Sequence, residues 1–337
     1  YGRIPADRFK EGTVKYFLED GTPLKEGKYR TTDLSKSEQG FYVTANGLKS
    51  DVFKVSIREP FAEDAYETIT YPVVFHLIQD KTKVELGQGV GADIVNYAFN
   101  TIYNCFARTA AFSPNGADTK IRFRLAEYDP NGRKMEEKGI NRYSLSTSDL
   151  NNLNPEKIKN NPKICWDYKR YLNIWIVENM GNSVSTPHYI LNTADLNQIQ
   201  GVSFEQLSLE EIEKQEYSLT DIGLIYGARD FAIEDVGYPT QMGKFFGLLD
   251  TENQKEDYCE DTFAYNTYKE PWNTALEGSN SRLKISTDGL IFYSVNIMDA
   301  SSYKNTISMD QVKRIRTITD NCPHRWAWKS DWAFTGK

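Results

Sequence analysis

A chain of 337 residues with 39% hydrophobic and 26% charged residues has the length for one large domain and a small one, and the make-up of an ordinary globular protein. A formal net charge of −7 speaks against nucleic acid as a partner, and no apolar run approaches the ~20 residues that a transmembrane helix needs. The 21 Tyr and 17 Phe point to a β-rich, extracytoplasmic protein, and the chain opens at Tyr1 in polar sequence, as after removal of a leader.

Residues 1–60 predict short strands. Val14–Leu18 runs into the turn dipeptide Asp20-Gly21, and strands at Phe41–Thr44 and Val52–Ile57 flank Asn46-Gly47, a hairpin signal. The pattern suits a small immunoglobulin-like β-sandwich module. The polar stretch Arg58–Glu67 contains Pro60 and places a linker over 61–67, with the main domain over 68–337.

From Thr68 the texture changes. Ile69–Ile78 is a continuous apolar run, as expected of a strand buried on both faces. Ala92–Ala107 carries Ile94, Tyr97, Ala98, Ile102 and Phe106 at helical spacing. Ile121–Ala126 alternates like a strand and leads to the turn Asp129-Pro130-Asn131-Gly132, and Tyr171–Val177 and Ile222–Tyr226 are further strands. Ser208 and Glu211 form a capping box for a short helix. Strands alternating with helices in this way predict a sheet layered with helices, α/β or α+β.

Tyr238–Thr251 reads Y-P-T-Q-M-G-K-F-F-G-L-L-D-T. Pro239 is tolerated in the first turn of a helix, where its missing N–H has no intrahelical partner, and Gly247 is placed to end that helix in a left-handed turn. Four cysteines, Cys105, Cys165, Cys259 and Cys322, show no C-x-x-C spacing, which argues against a structural zinc site and allows three pairings in an oxidising compartment.

In their order, these segments resemble the pappalysin-like branch of the metzincin zinc proteases, and within it a group of Bacteroidetes metalloproteinase lipoproteins. Tyr71-Pro-Val-Val-Phe-His76, Ile121–Asn131, Tyr171–Val177 and Gly223-Leu-Ile225 resemble the family's sheet strands. Asp257-Tyr-Cys-Glu-Asp-Thr262 is similar to its C-x-D-T segment, Asn296-Ile-Met-Asp299 to its Met-turn, and Ser308–Ile318 to its C-terminal helix. The family's long zinc signature is H-E-x-x-H-x-x-G-x-x-H. Laid on Tyr238–Thr251, it puts Gly247 on the turn glycine and Gly243 and Phe246 on positions filled by similar residues, while Met298 falls on the Met-turn. The chemical positions differ: Thr240 and Lys244 stand for the two helical His, Gln241 for the Glu, and Asp250 for the third His.

The resemblance implies an α+β, metzincin-like domain with a mixed, mostly parallel sheet, preceded by the small β-sandwich. Zinc is the family's cofactor, but none is expected here. A cation at Lys244 repels a metal and offers no lone pair, and Gln241 cannot take a proton from water. Lys244 and Asp250 are expected to face each other across the place of the ion. The function implied is that of an extracytoplasmic pseudoprotease, secreted, periplasmic or held at the cell surface, with the question of a lipid anchor before Tyr1 left open, whose former substrate cleft holds a peptide or protein by strand addition. The resemblance also implies a Cys259–Cys322 disulfide, with Cys105 and Cys165 buried and free. Two alternatives stand beside this: an active peptidase with an unorthodox metal site built from residues such as Asp250, Glu234, Asp235 or His188, and a surface glycan-binding protein using Trp326, Trp328 and Trp332. His76 is expected to be a half-buried structural residue, and His324 a surface or packing one.

Overall fold

The central element is β5, Ile69–Asp80, in which every residue but Thr70 is buried. A strand apolar on both faces has to be covered on both sides, and parallel sheets are covered in this way by their crossover helices. In the computed structural model β5 pairs in parallel with β6, Ile121–Leu125, through its first half, and with β7, Ile140–Leu145, through its second. On its other side it pairs in parallel with β8, Leu172–Val177, which in turn pairs with β11, Gly223–Gly227. The sheet order is therefore β11-β8-β5, then β6 and β7 end to end. Two short strands, β9 (Tyr189–Asn192) and β10 (Ser203–Gln206), form a separate parallel pair, and Leu283–Ile285 with Ile291–Tyr293 an antiparallel one. The result is α+β with a mostly parallel sheet. The structure describes residues 14–31, 33–59, 62–85, 88–110, 116–180, 189–193, 199–232, 237–251, 256–265, 283–286, 291–299 and 304–337.

Three helices position the candidate site. Helix α1, Ala92–Phe106, buries Val95, Ala98, Ile102, Cys105 and Phe106, the stripe expected of an amphipathic helix. Helix α2 is Tyr238–Phe245, and α3 is Met309–Asn321, opened by a Ser308–Gln311 capping box. The end of α2 is anchored by Phe246, whose ring lies 5.3 Å from Tyr71, 5.7 Å from Phe106 and 6.4 Å from Phe123, centroid to centroid. Strand, helix and turn thus share one aromatic core. Removing such a ring costs about 3–5 kcal/mol.

His76 lies in the middle of this sheet and is fully buried, deeper than the sequence suggests. Its Nε2 is 2.9 Å from Asn173 Oδ1 and its Nδ1 2.8 Å from Asn141 Nδ2, and the rings of Trp166 and Trp175 flank it. His324 is also buried, against the rings of Tyr168 and Tyr217.

The chain divides into two compact units, Tyr1–Ala62 and Glu63–Lys337. The first contains β1 (Val14–Leu18), β2 (Glu38–Ala45), β3 (Leu48–Lys49) and β4 (Phe53–Ser56), with β1, β3 and β4 all antiparallel to β2. Asn46 and Gly47 both take positive φ, 51° and 81°, which is the backbone that an Asn-Gly hairpin turn requires. Among the described residues these strands form one antiparallel sheet, such as a small β-sandwich module contains.

All four cysteines are free thiols, so the Cys259–Cys322 pairing implied by the resemblance is corrected. The two sit in different surroundings. Cys322 caps α3 and packs with Ile190, Val202 and Ile318, whereas Cys259 lies in a turn closed on the Asp257 carboxylate. Burial pushes both thiols up, which keeps them protonated and inert.

Candidate functional site

Helix α2 starts from Gly237 at φ 59°, with Pro239 in its first turn, and Tyr238 donates its hydroxyl to the Phe231 carbonyl at 2.5 Å. It buries Thr240, Met242, Gly243 and Phe245 and leaves Gln241 and Lys244 half-exposed. The helix ends in a Schellman motif: Leu248 N–H donates to Gly243 O at 2.9 Å and Gly247 N–H to Lys244 O at 2.8 Å. Gly247 takes φ 85°, and a Cβ there would come within 2.1 Å of Ile318 Cδ1. Glycine is needed at this position both for the turn and for its closeness to α3. At Gly243 a Cβ would come within 3.0 Å of both Ile297 Cδ1 and Met298 Sδ. The glycine lets the Met298 loop pack directly beneath the helix.

That loop is held by its own polar contacts. Asn296 Oδ1 accepts from Met298 N–H at 2.9 Å, and the Asn296 and Gln311 amides bond each other at 2.8 and 3.1 Å, joining the loop to the start of α3. Thr251 donates to the buried Asp299 carboxylate at 2.6 Å. Two buried arginines satisfy the last carbonyls of the helix and its turn, Arg325 Nε on Phe245 O at 2.9 Å and Arg314 Nε on Gly247 O at 2.6 Å. Burial lowers the pKa of both guanidiniums, yet they remain charged, because guanidinium starts so high.

Thr240, Lys244 and Asp250 lie along this frame. The Lys244 ammonium lies 2.9 Å from each oxygen of the Asp250 carboxylate, and the two side chains are 23% and 27% exposed. One turn earlier, the Thr240 hydroxyl donates to Ile297 O at 2.5 Å and accepts from the Lys304 ammonium at 3.0 Å. As a donor set for zinc these residues do not fit. The hydroxyl is already used as donor and acceptor, the carboxylate is neutralised by an ammonium, and neither ammonium has a lone pair to give.

Of the residues proposed for an unorthodox metal site, only Asp250 is described, and it faces Lys244; Glu234, Asp235 and His188 lie outside the described residues. The tryptophans that suggested a glycan surface are packed instead. Trp332 stacks on Arg170 at 4.2 Å and donates to Asp129 O at 3.2 Å, Trp326 carries Lys329 over its ring at 3.1 Å, and Trp326, Trp328 and Trp332 are all partly buried. Lys304, Arg314 and Arg325 were not picked out from the sequence. No spacing marks them, since each meets the helix from more than 60 residues away.

A helix closed by a left-handed glycine, seated on a methionine loop and placed after a strand of a mostly parallel sheet, is the centre of this α+β fold. No protein-family model and no curated protein matches the chain. Among solved structures it is similar to mirolysin of Tannerella forsythia. Mature mirolysin in complex with a cleaved peptide is 17% identical over 80% of this chain and 97% of that one, with a TM-score of 0.46. A promirolysin mutant is 19% identical over 79% and 85%, at 0.46, and mirolysin in complex with a compound is 18% identical over 80% and 98%, at 0.49.

Proposed function

We propose that this protein is a non-catalytic, extracytoplasmic relative of zinc metallopeptidases, and that its cleft beside α2 binds an extended segment of a peptide or protein. One observation carries this: Lys244 and Asp250 satisfy each other at 2.9 Å, at two positions that the sequence resemblance assigns to metal-binding histidines. Gln241, at the position of the general base, is an amide with no basic lone pair of its own. What supports a binding role is the half-exposed side of α2 that carries Gln241 and Lys244, next to the buried strand β11. The N-terminal unit is then a small accessory module.

The test is calorimetric titration of the full chain, purified without chelator, with zinc, run beside a screen of a peptide pool for binding and cleavage. Peptides retained intact without stoichiometric zinc are expected. One equivalent of zinc together with cleaved peptides would establish an active peptidase instead.

A further inference from the structure

We infer that Asn46 is a site of spontaneous covalent modification, losing its side-chain amide at the tip of the β2–β3 hairpin, while the fold protects the same dipeptide at Asn131-Gly132. In this step the Gly47 nitrogen attacks Asn46 Cγ. The new C–N bond replaces the bond to the amide nitrogen, which leaves as ammonia and takes the Gly47 proton with it. Water then opens the cyclic imide at one carbonyl or the other, giving aspartate or isoaspartate. The step needs a following residue without a side chain, a backbone N–H not committed to an acceptor, and room for the Asn46 backbone to rotate until that nitrogen meets Cγ.

The hairpin meets each condition. Asn46, Gly47 and the residues that follow to Ser50 are all exposed, Leu48 to 76%. A Cβ at Gly47 would meet nothing within 4 Å, and no described residue accepts the Gly47 N–H. Strand β3 is only Leu48–Lys49, paired with Ala45 and Thr44 of β2. A ladder this short and this exposed opens locally at little cost, and opening supplies the rotation that the closed turn restricts.

Asn131-Gly132 is the contrast within the same chain. Asp129 Oδ1 accepts from Asn131 N–H at 2.9 Å and from Arg133 N–H at 2.8 Å, and Asp129 O accepts from Gly132 N–H at 3.0 Å. The nitrogen that would have to attack is therefore already donated. A Cβ at Gly132 would come within 2.8 Å of Gly336 O, so the backbone of the last residues closes over this turn. At the third Asn-Gly dipeptide, Gly116 is buried and bridged to Ser308, and Asn115 lies outside the described residues. At the hairpin, either product adds a negative charge beside Leu48. Isoaspartate also lengthens the main chain inside a turn whose length sets the register Ala45↔Leu48 and Thr44↔Lys49.

The experiment incubates the full chain at mildly alkaline pH, native and in guanidinium, and follows digests over time by mass spectrometry with aspartate and isoaspartate products separated. In the native protein Asn46 should convert about tenfold faster than Asn131 or more, since the bonds of the Asp129 turn must open before Gly132 can react. In guanidinium the two rates should converge. Equal native rates at the two sites, or an Asn46 slowed by folding as much as Asn131 is, overturns the inference. Asn46→Gly suits the same turn, because glycine takes positive φ freely, and should abolish the product while leaving the melting curve unchanged. A deamidated product that persists in that peptide of the Asn46→Gly variant overturns the assignment to Asn46.

Discussion

The buried His76 predicts an acid-sensitive core: burial sets the size of the effect, and the hydrogen bonds fix the tautomer. Asn173 Nδ2 donates to Trp166 O at 3.0 Å, so its Oδ1 faces His76 as an acceptor and Nε2 must carry the proton. Asn141 Nδ2 donates both to Lys163 O at 2.8 Å and to His76, so Nδ1 must be the bare acceptor. Protonating Nδ1 would set two donors against each other in the middle of the sheet. Burial pulls His76 down to about 4 from its ordinary 6.5, against the hydrogen bond to Asn173, which favours the protonated ring. The unfolded chain therefore binds a proton at higher pH than the native one. The stability due to a neutral His76 is full above pH 6.5 and is lost as pH falls toward about 4. Between about pH 7 and about pH 5 the loss from this one group is about 2 kcal/mol. His324, held down to about 4 by burial and by Arg325, adds a similar loss. The assay is urea unfolding followed by the fluorescence of Trp166 and Trp175, whose rings lie 5.1 and 6.0 Å from His76. His76→Phe should be less stable at neutral pH by about 2 kcal/mol or more, since two buried amide groups lose a partner. It should also lose about 2 kcal/mol less than the wild type on acidification. The buried carboxylates Asp257 and Asp299, which titrate in the opposite sense, are common to both proteins and cancel in the comparison. An unchanged loss in the variant, or a His76 resonance titrating near 6.5, would refute the reasoning.

A double-mutant cycle on Lys244→Met and Asp250→Asn should give a coupling of no more than about 1 kcal/mol, because a pair this exposed is largely screened by water; a coupling several times larger would mean that the pair is sealed from solvent. Gly247→Ala should lower stability by more than about 2 kcal/mol, whereas Gly47→Ala, at φ 81° with nothing within 4 Å of its Cβ, should cost only about 1 kcal/mol; equal shifts in two melting curves would show that contact with Ile318 is unimportant. Alkylation of denatured, unreduced protein followed by mass spectrometry should label all four thiols, and a cross-linked Cys259–Cys322 peptide would contradict this.

How much of this was legible depended on what each residue must satisfy locally. The strands β5 and β8 stood out because burial on both faces leaves no polar alternation, and the runs at 69–78 and 171–177 read as such. β7 was missed because among the described residues it pairs with β5 alone and buries just Ile140; its remaining positions, Asn141–Leu145, are partly or fully exposed and carry no apolar pattern. The helix frame was legible through Gly243 and Gly247, since a left-handed turn and a loop packed at van der Waals distance each exclude a side chain, and glycine records that exclusion in the sequence. The charges around the frame obey no such rule. Lys244 and Asp250 lie six residues apart and could be paired on paper, but Lys304 reaches Thr240 across 64 residues, and the arginines reach Phe245 and Gly247 across 80 and 67. The failed disulfide has the same origin: Cys259 and Cys322 are apart because a turn and a helix end point them into different clusters. Backbone constraints leave a mark at the residue that bears them, whereas a long-range charge leaves none until the fold brings its partner near.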